Sequence, residues 1–400
     1  MAPDSLPVSS LYSQRGRPMP DWDRLRLSFP ATESVTYLDM ARKALPPTQA
    51  ATAAADWFAD IGSPAAGGHA FSMENAETTR TAVAQAFGAP PETLALVKNT
   101  SEGVNIVAHG ISWKAGENVV ISGAEHENNT FPWRPLARQG VEIRVVPERP
   151  SGLVEVDDLI AAMDGRTRVL SVAWVTYGIG QRMDLDLLAQ ACRDRDVILL
   201  VDGIQAVGIL NRRLDSLGAH VVAAGGHKAQ LSVAGAGLMY ISPEVLDRIH
   251  PVFMAKFSFD TLDRRVDNPG MAPGARRFEY GNPNFLGLAI QGQSARMVED
   301  IGLDAIESCV RHLTNMLFEG VRSLPVTLRT PEPWDQRAAI VSLDLASVSA
   351  DWMEATLANE GIRVASKDGH LRISPHFYNN ETDIRHFLER LQFHLERTRP

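Results

Sequence analysis

This chain is poor in cysteine, with two in 400 residues, Cys192 and Cys309. Two thiols build no disulfide framework and point to a reducing compartment. Long apolar runs are also missing. The longest, such as VILLV at 197–201, have the length of a strand and fall far short of the roughly 20 residues that a membrane-spanning helix needs. No membrane association is expected. The opening stretch MAPDSLPVSSLYSQRGRPMPDW lacks the apolar core of a secretory signal and reads as a flexible, proline-rich lead-in, so the expected location is cytoplasmic. Positive charge is in deficit. The 39 Lys and Arg against 48 Asp and Glu leave a net charge of -9, which gives no general reason to bind nucleic acid. There is no low-complexity tract and no obvious internal repeat.

What the chain does have is core-forming material. Hydrophobic residues make up 44% and charged residues 22% of the chain, enough for a soluble globular protein with a large core and two domains. Apolar runs alternate with helical patterns. VVISG (119–123) precedes a helical stretch near FPWRPLARQG, and VEIRVVP is the next strand. VDDLIAAMDG then leads into RVLSVAWV, and DLDLLAQACRDRD into VILLVDG. Such near-continuous apolar strands predict a mostly parallel sheet covered by helices on both faces. In these α/β sheets ligands bind at the carboxyl ends of the strands, so the residues just after each apolar run are the candidates.

Those positions carry polar groups. After LALVKN come Thr100 and Ser101, opening the helical pattern SEGVNIVAHGI, with hydroxyls and free amides suited to a phosphate. Taken alone, the motif is better explained as an ordinary helix cap, since Ser and Thr are preferred there. After VVISG comes His126, either a stacking ring or a metal ligand, but HENN is not the HExxH of a zinc site. After VILLV comes Asp202, a turn former or a functional acid. The last is Lys228 in AAGGHKAQLS, between the apolar run HVVAA and the small residues VAGAG. Lysines usually sit among other charges. This one sits where desolvation favours a neutral amine.

Together these groups describe a more specific need than any does alone. A phosphorylated pyridine aldehyde requires a lysine amine for a Schiff base, a phosphate cradle, an acid at the ring nitrogen and a group flat against the ring. The sequence offers all four. At this point the chain resembles the class V aminotransferase family of pyridoxal 5'-phosphate enzymes, which includes cysteine desulfurases and isopenicillin N epimerase-like proteins. The resemblance runs from Tyr37-Leu38-Asp39 to the C-terminus. It rests on TSEGVNIVA, EHENNTFPW, VDGIQAVG, GGHK and GHLRISPHFYN.

The resemblance implies a fold type I α/β enzyme. A large cofactor domain (36–275) with a mostly parallel seven-stranded sheet would follow an N-terminal extension (1–35). A smaller α/β domain (276–400) would complete the chain, with the N-terminal segment able to pack against it. A homodimer with shared sites is also implied. Lys228 would be the Schiff-base lysine, Asp202 the partner of the pyridine nitrogen, Gln205 the contact to the ring hydroxyl and His126 the stacking ring. Thr100, Ser101 and His227 would hold the phosphate. Arg372 would grip the substrate carboxylate, with Arg42 and Tyr177 as further substrate-side candidates. In EYGNPNF, Asn282 stands where the family has a hydroxyl residue that reaches the partner's phosphate, and Gly225 stands where many relatives have a serine.

Departures from the family pattern bear on the reaction. Desulfurases carry a nucleophilic cysteine shortly before the carboxylate-binding arginine, where this chain has VASKDGHLR. Cys192 and Cys309 fall in helical patterns and read as small buried residues. Ala65-Ala66 replace a His-Arg pair. The expectation is therefore an enzyme other than a cysteine desulfurase, acting on an α-amino acid. The leading reading is carbon–sulfur lyase chemistry by β-elimination from an S-substituted cysteine, as in divergent relatives from antibiotic and other natural-product pathways. Decarboxylation with oxidative deamination, transamination and epimerisation stand as alternatives, and a catalytically silent scaffold is the non-enzyme alternative.

Overall fold

The computed structural model describes residues 19–398. A two-residue strand, β1 (Thr36–Tyr37), comes first. Seven strands follow: β2 (Leu94–Val97), β3 (Asn118–Ser122), β4 (Glu142–Val146), β5 (Thr167–Ala173), β6 (Ile198–Asp202), β7 (Val221–Gly225) and β8 (Gly237–Ile241). They form one sheet in the order β2-β8-β7-β6-β5-β3-β4. Only β8 runs against its neighbours. The expected mostly parallel seven-stranded sheet of an α/β fold is therefore present.

The strand sequences explain this sheet. Every residue of β2, β3, β6, β7 and β8 is buried, because helices cover both faces and a strand in that position has no wet side. Alternation divides the apolar side chains between two cores. Leu199 and Val201 of β6 enter one, and Ile198 and Leu200 enter the other.

A second sheet lies later in the chain. Strands β9 (Thr327–Leu328), β10 (Val341–Asp344), β12 (Ala365–Lys367) and β13 (His370–Ile373) make an antiparallel sheet in the order β12-β13-β10-β9. Between them β11 (Ile362–Arg363) pairs in parallel with β1. That pairing draws the early segment onto the late one, and Leu38 joins the core of the second sheet.

Two local expectations need correction. The lead-in was read as flexible through Trp22; most of it lies outside the described residues, but Trp22–Arg26 is helical. Asp21 caps that helix by accepting from the Arg24 amide at 3.0 Å, and Arg26 donates to both carboxylate oxygens of Asp383 at 2.7 and 3.0 Å. The second needs only refinement: the stretch FPWRPLARQG is helical as expected, but not α-helical. It winds as a 3₁₀ helix over Phe131–Gln139, with Pro132 and Pro135 lacking the amides that a regular α-helix would use.

The turn after β6 approaches the Lys228 segment closely. Gly208 has φ +102°, and a Cβ there would lie 2.5 Å from the carbonyl oxygen of Ala229. Gly208→Ala is expected to destabilise the protein by about 1–3 kcal/mol, read from denaturant titration. Gly165→Ala, where added bulk meets open space, is the control expected to change little. Equal midpoints for the two variants would contradict the close approach.

Candidate active site

The carboxyl ends of β2, β3, β5, β6 and β7 open on one cavity of about 210 Å³. Its wall includes Thr100, His126, Asp202, Gln205, His227 and Lys228, together with Tyr177, Arg42 and Arg372. Nine of the candidates named from sequence thus share one space. Two others stand apart: Ser101 does not line the cavity, and Asn282 lines a separate small one with Lys98 and Tyr280.

Each side chain has a local reason for its place. The helix Thr100–Gly110 is capped not by Thr100 or Ser101 but by Asn99, which accepts from the Glu102 amide at 2.9 Å. Thr100 is thereby free to accept from the Gly225 amide at 3.2 Å. This ties the helix start, and its unpaired amides, to the end of β7. At Gly225 a Cβ would lie 3.3 Å from the His227 ring, so the missing side chain gives that ring its position.

Asp202 is buried at the tip of β6 and accepts from the Ile204 amide at 3.0 Å. It is thus a turn former as well as a cavity acid. Burial pushes its carboxyl up to about 6, against the pull of Lys228 and Thr100. Lys228 is half-buried in the cavity, and desolvation pulls its amine down to about 8. Asp202 opposes that shift, while Arg372 and Lys367 add to it.

His126 caps a short helix by accepting from the Asn128 amide through Nδ1 at 3.2 Å. The same nitrogen lies 3.4 Å from Glu127, which looks like an ion pair only if the ring is protonated. Burial lowers its pKa. We therefore assign a neutral ring whose Nδ1 accepts and whose Nε2 carries the proton. Tyr177 meets this ring edge-on, with centroids 5.1 Å apart and planes at 79°. Burial pushes the Tyr177 hydroxyl up to about 12, with Asp368 adding to the shift. At neutral pH it keeps its proton and can donate a hydrogen bond.

Arg372 is 2% exposed. Its guanidinium donates to the Tyr177 carbonyl at 2.8 Å and to Asp39 at 3.3 Å, and its Nε has no partner among the described residues. Gln205 donates to the Ala41 carbonyl at 3.0 Å, leaving its Oε1 buried and without a partner. These orphaned atoms, the buried acid, the desolvated amine and the helix start fit a phosphorylated pyridine aldehyde. No group of three or more metal-ligating side chains occurs among the described residues.

Sequence reasoning missed three residues here. Asp39 was only the start of the resemblance, Glu125 only the neighbour of His126, and Lys367 only part of a stretch lacking cysteine. Glu125 is wholly buried and accepts from the Ala173 amide and from Asn129, both at 2.7 Å. Cys192 is buried as expected, whereas Cys309 is only half-buried. Neither thiol lines the cavity, and burial pushes both up to about 12.

Comparison with known proteins gives a consistent result. The family described as Aminotransferase class-V matches residues 36–388. A cysteine desulfurase of Cronobacter sakazakii is 30% identical over 350 residues, covering 84% of each chain. The apo structure of a cysteine desulfurase from Thermococcus onnurineus superposes with a TM-score of 0.85 at 25% identity, covering 95% of this chain and 99% of that one. A variant of the protein C-DES, with glycine covalently linked to its pyridoxal phosphate, gives a TM-score of 0.85 at 23% identity over 94% and 99% of the chains. These neighbours are fold type I enzymes, and the cofactor of this protein is pyridoxal phosphate.

Glu125 supplies a pH test. Burial holds its carboxyl at about 8 against an ordinary 4.5, with Asp202 adding to the rise. A raised pKa in the folded state means that the associated stability is full below the ordinary value and is lost as pH rises through about 8. Glu125→Gln carries no such loss. In cofactor-free protein the variant's Tm, relative to the parent, is expected to climb between about pH 5 and about pH 8. A difference that stays flat across this range would mean that Glu125 is ionised in the fold.

Proposed function

The chain belongs to the class V aminotransferase family of pyridoxal-phosphate enzymes acting on amino acids, and on that premise we propose that it is a carbon–sulfur lyase releasing a thiol from an S-substituted cysteine by β-elimination. One observation carries this reading. The cavity gathers a desolvated lysine, a buried acid and a buried arginine, yet neither cysteine of the chain lines it. Transfer of sulfur to an enzyme thiol needs an accessible thiolate, whereas elimination needs none. Ala65 and Ala66 are likewise outside the cavity wall.

Bound here, pyridoxal phosphate supplies an aldehyde carbon that takes up amines and a ring that draws electrons from the substrate's α-carbon. Thr100, His227 and the amides of the helix start are assigned its phosphate, with Ser101 contributing through its backbone. Asp202 is assigned the ring nitrogen, Gln205 the ring hydroxyl through its free Oε1, and His126 the ring face. Arg372 takes the substrate's α-carboxylate, a planar fork suited to two parallel donors.

The Lys228 amine, held near neutrality by desolvation, takes the α-proton. As the Cβ–S bond breaks, its electron pair leaves with sulfur as a thiolate, and water then releases pyruvate and ammonia. Tyr177 keeps the His126 ring upright at the mouth. A homodimer is part of the proposal. Asn282 lies outside this chain's own cavity, as a residue offered to a second copy would, and exposed Phe253, Met254 and Leu262 support an apolar contact. A natural-product setting belongs to the same proposal, and neighbouring genes would test it. No helix among the described residues is long and apolar enough to cross a membrane.

The deciding experiment supplies a panel of S-substituted cysteines and ordinary amino acids, with mass spectrometry separating pyruvate, aldehyde, keto acid and epimer. Pyruvate is expected from the S-substituted cysteines, and a different product class would overturn elimination. Lys228→Ala is expected to abolish turnover and the lysine-linked visible absorbance that borohydride abolishes in the parent; full activity would remove Lys228 from its role. The Cys192→Ser, Cys309→Ser double variant is expected to keep most of its activity. Detection of a protein-bound persulfide after incubation with free cysteine would instead place the protein with the desulfurases it resembles.

A further inference from the structure

The cavity that holds Arg372 also holds two further cations, Lys367 and Arg42. Strands β12 and β13 pair Lys367 with His370 and Ala365 with Arg372. Only Asp368 and Gly369 are left to make the turn, at φ +51° and +80°. An Asp-Gly pair with both residues at positive φ is the signature of a tight two-residue hairpin. Such a turn fixes register, and the pairing puts Lys367 on the same face of the ladder as Arg372. Both line the cavity.

Arg42 arrives from the other side, three residues beyond Asp39, the acid that holds Arg372. Arg372 is held in place by Asp39 and the Tyr177 carbonyl. Arg42 and Lys367 are different: both are exposed, and neither forms an ion pair with any described residue. Asp368, the acid next to Lys367, is turned toward the Tyr177 hydroxyl. Asp202 is the only carboxylate in the cavity wall. Asp368, Glu127 and Glu148 stand near Tyr177, but none of them pairs with either cation or lines the cavity among the described residues. In a chain where acids outnumber bases 48 to 39, two unpaired cations in one cavity wall run against composition.

These cations sit at the amino-acid end of the cavity. Lys367 shares the ladder face of Arg372, and Arg42 follows closely on Asp39, which holds Arg372. The side assigned to the phosphate is instead the helix start, where Thr100 is tied to the end of β7 beside His227. The anion they await is therefore not the cofactor's phosphate. We propose that the substrate carries a second anionic group at the end of its side chain, a carboxylate or a sulfonate, held by Lys367 and Arg42 while Arg372 takes the α-carboxylate. This rests on the lyase reading for the identity of the amino acid but not for the charge at its end.

The test uses the cofactor-loaded protein and three substrates. S-(carboxymethyl)cysteine and S-(carbamoylmethyl)cysteine differ in charge at nearly equal size, and S-(2-sulfoethyl)cysteine replaces the carboxylate with a sulfonate. Kd is read from the change in visible absorbance and pyruvate is measured separately. The carboxymethyl compound is expected to bind about tenfold more tightly than the carbamoylmethyl one. That ratio is expected to shrink to less than about threefold in Lys367→Met and in Arg42→Met, to invert in Lys367→Glu, and to return in Lys367→Arg.

Equal Kd values for the charged and neutral compounds, or a ratio unmoved by the substitutions, would overturn the proposal. Tighter binding of the sulfoethyl compound would assign the site to sulfonates. Selective binding without pyruvate would refute the lyase reading and leave the anion site standing. Pyruvate formed equally well from charged and neutral conjugates would do the reverse.

Discussion

Three distant parts of the chain meet at the guanidinium of Arg372. It stands on β13, pairs with Asp39 just after β1, and donates to the carbonyl of Tyr177 beyond β5. Burying such a pair gives little net stability, since desolvation offsets most of the attraction. Its value is geometric. An arginine that is 2% exposed and fixed at two of its nitrogens is already placed before any carboxylate arrives, so little side-chain entropy is lost on binding. The segment from Asp39 to Ala44 takes its position from the same interaction. Through the bonds of Ala41 to Gln205 and of Ala44 to the His227 carbonyl, it closes over the Lys228 loop.

Within that frame burial sets the chemistry. Glu125, Asp202 and Lys228 are all driven toward their neutral forms by loss of water. Asp202 and Lys228 partly compensate each other, and Glu125 is satisfied by an amide and an asparagine instead. A cavity arranged in this way holds a reactive amine at ordinary pH and an acid ready to meet a cationic ring nitrogen. The neutral His126 and the protonated Tyr177 add shape without adding charge.

The thiols show how far relatedness and geometry can diverge. The resemblance to proteins named cysteine desulfurases covers nearly the whole chain. The two cysteines nevertheless lie in helices, Cys192 in Leu185–Asp194 and Cys309 in Leu303–Val321. Next to the strand that carries Arg372, the tight Asp368-Gly369 turn between β12 and β13 leaves no loop to carry a nucleophile. A family fold fixes where a cofactor sits; the groups around its substrate end decide what is done with it.

The count of seven strands came from the family resemblance, but sequence alone determined the mostly parallel sheet, most of its buried strands, the polar residues at their carboxyl ends and Lys228 and Asp202 as candidates. All of these depend on short-range pattern: apolar runs, small residues around a lysine, and an acid where a strand stops. It grouped Ser101 with Thr100, although only Thr100 lines the cavity, because motif order carries no information about which side of a backbone faces the cavity. It missed Asp39, Glu125 and Lys367 for the same reason. Asp39 and Arg372 are 333 residues apart, and their pairing follows from β1 joining β11, a contact with no local signature. Arg42 was grouped with Arg372 from the resemblance, but only the tertiary structure brought Lys367 beside them, because strand pairing, and not the residues themselves, decides which cations share a cavity.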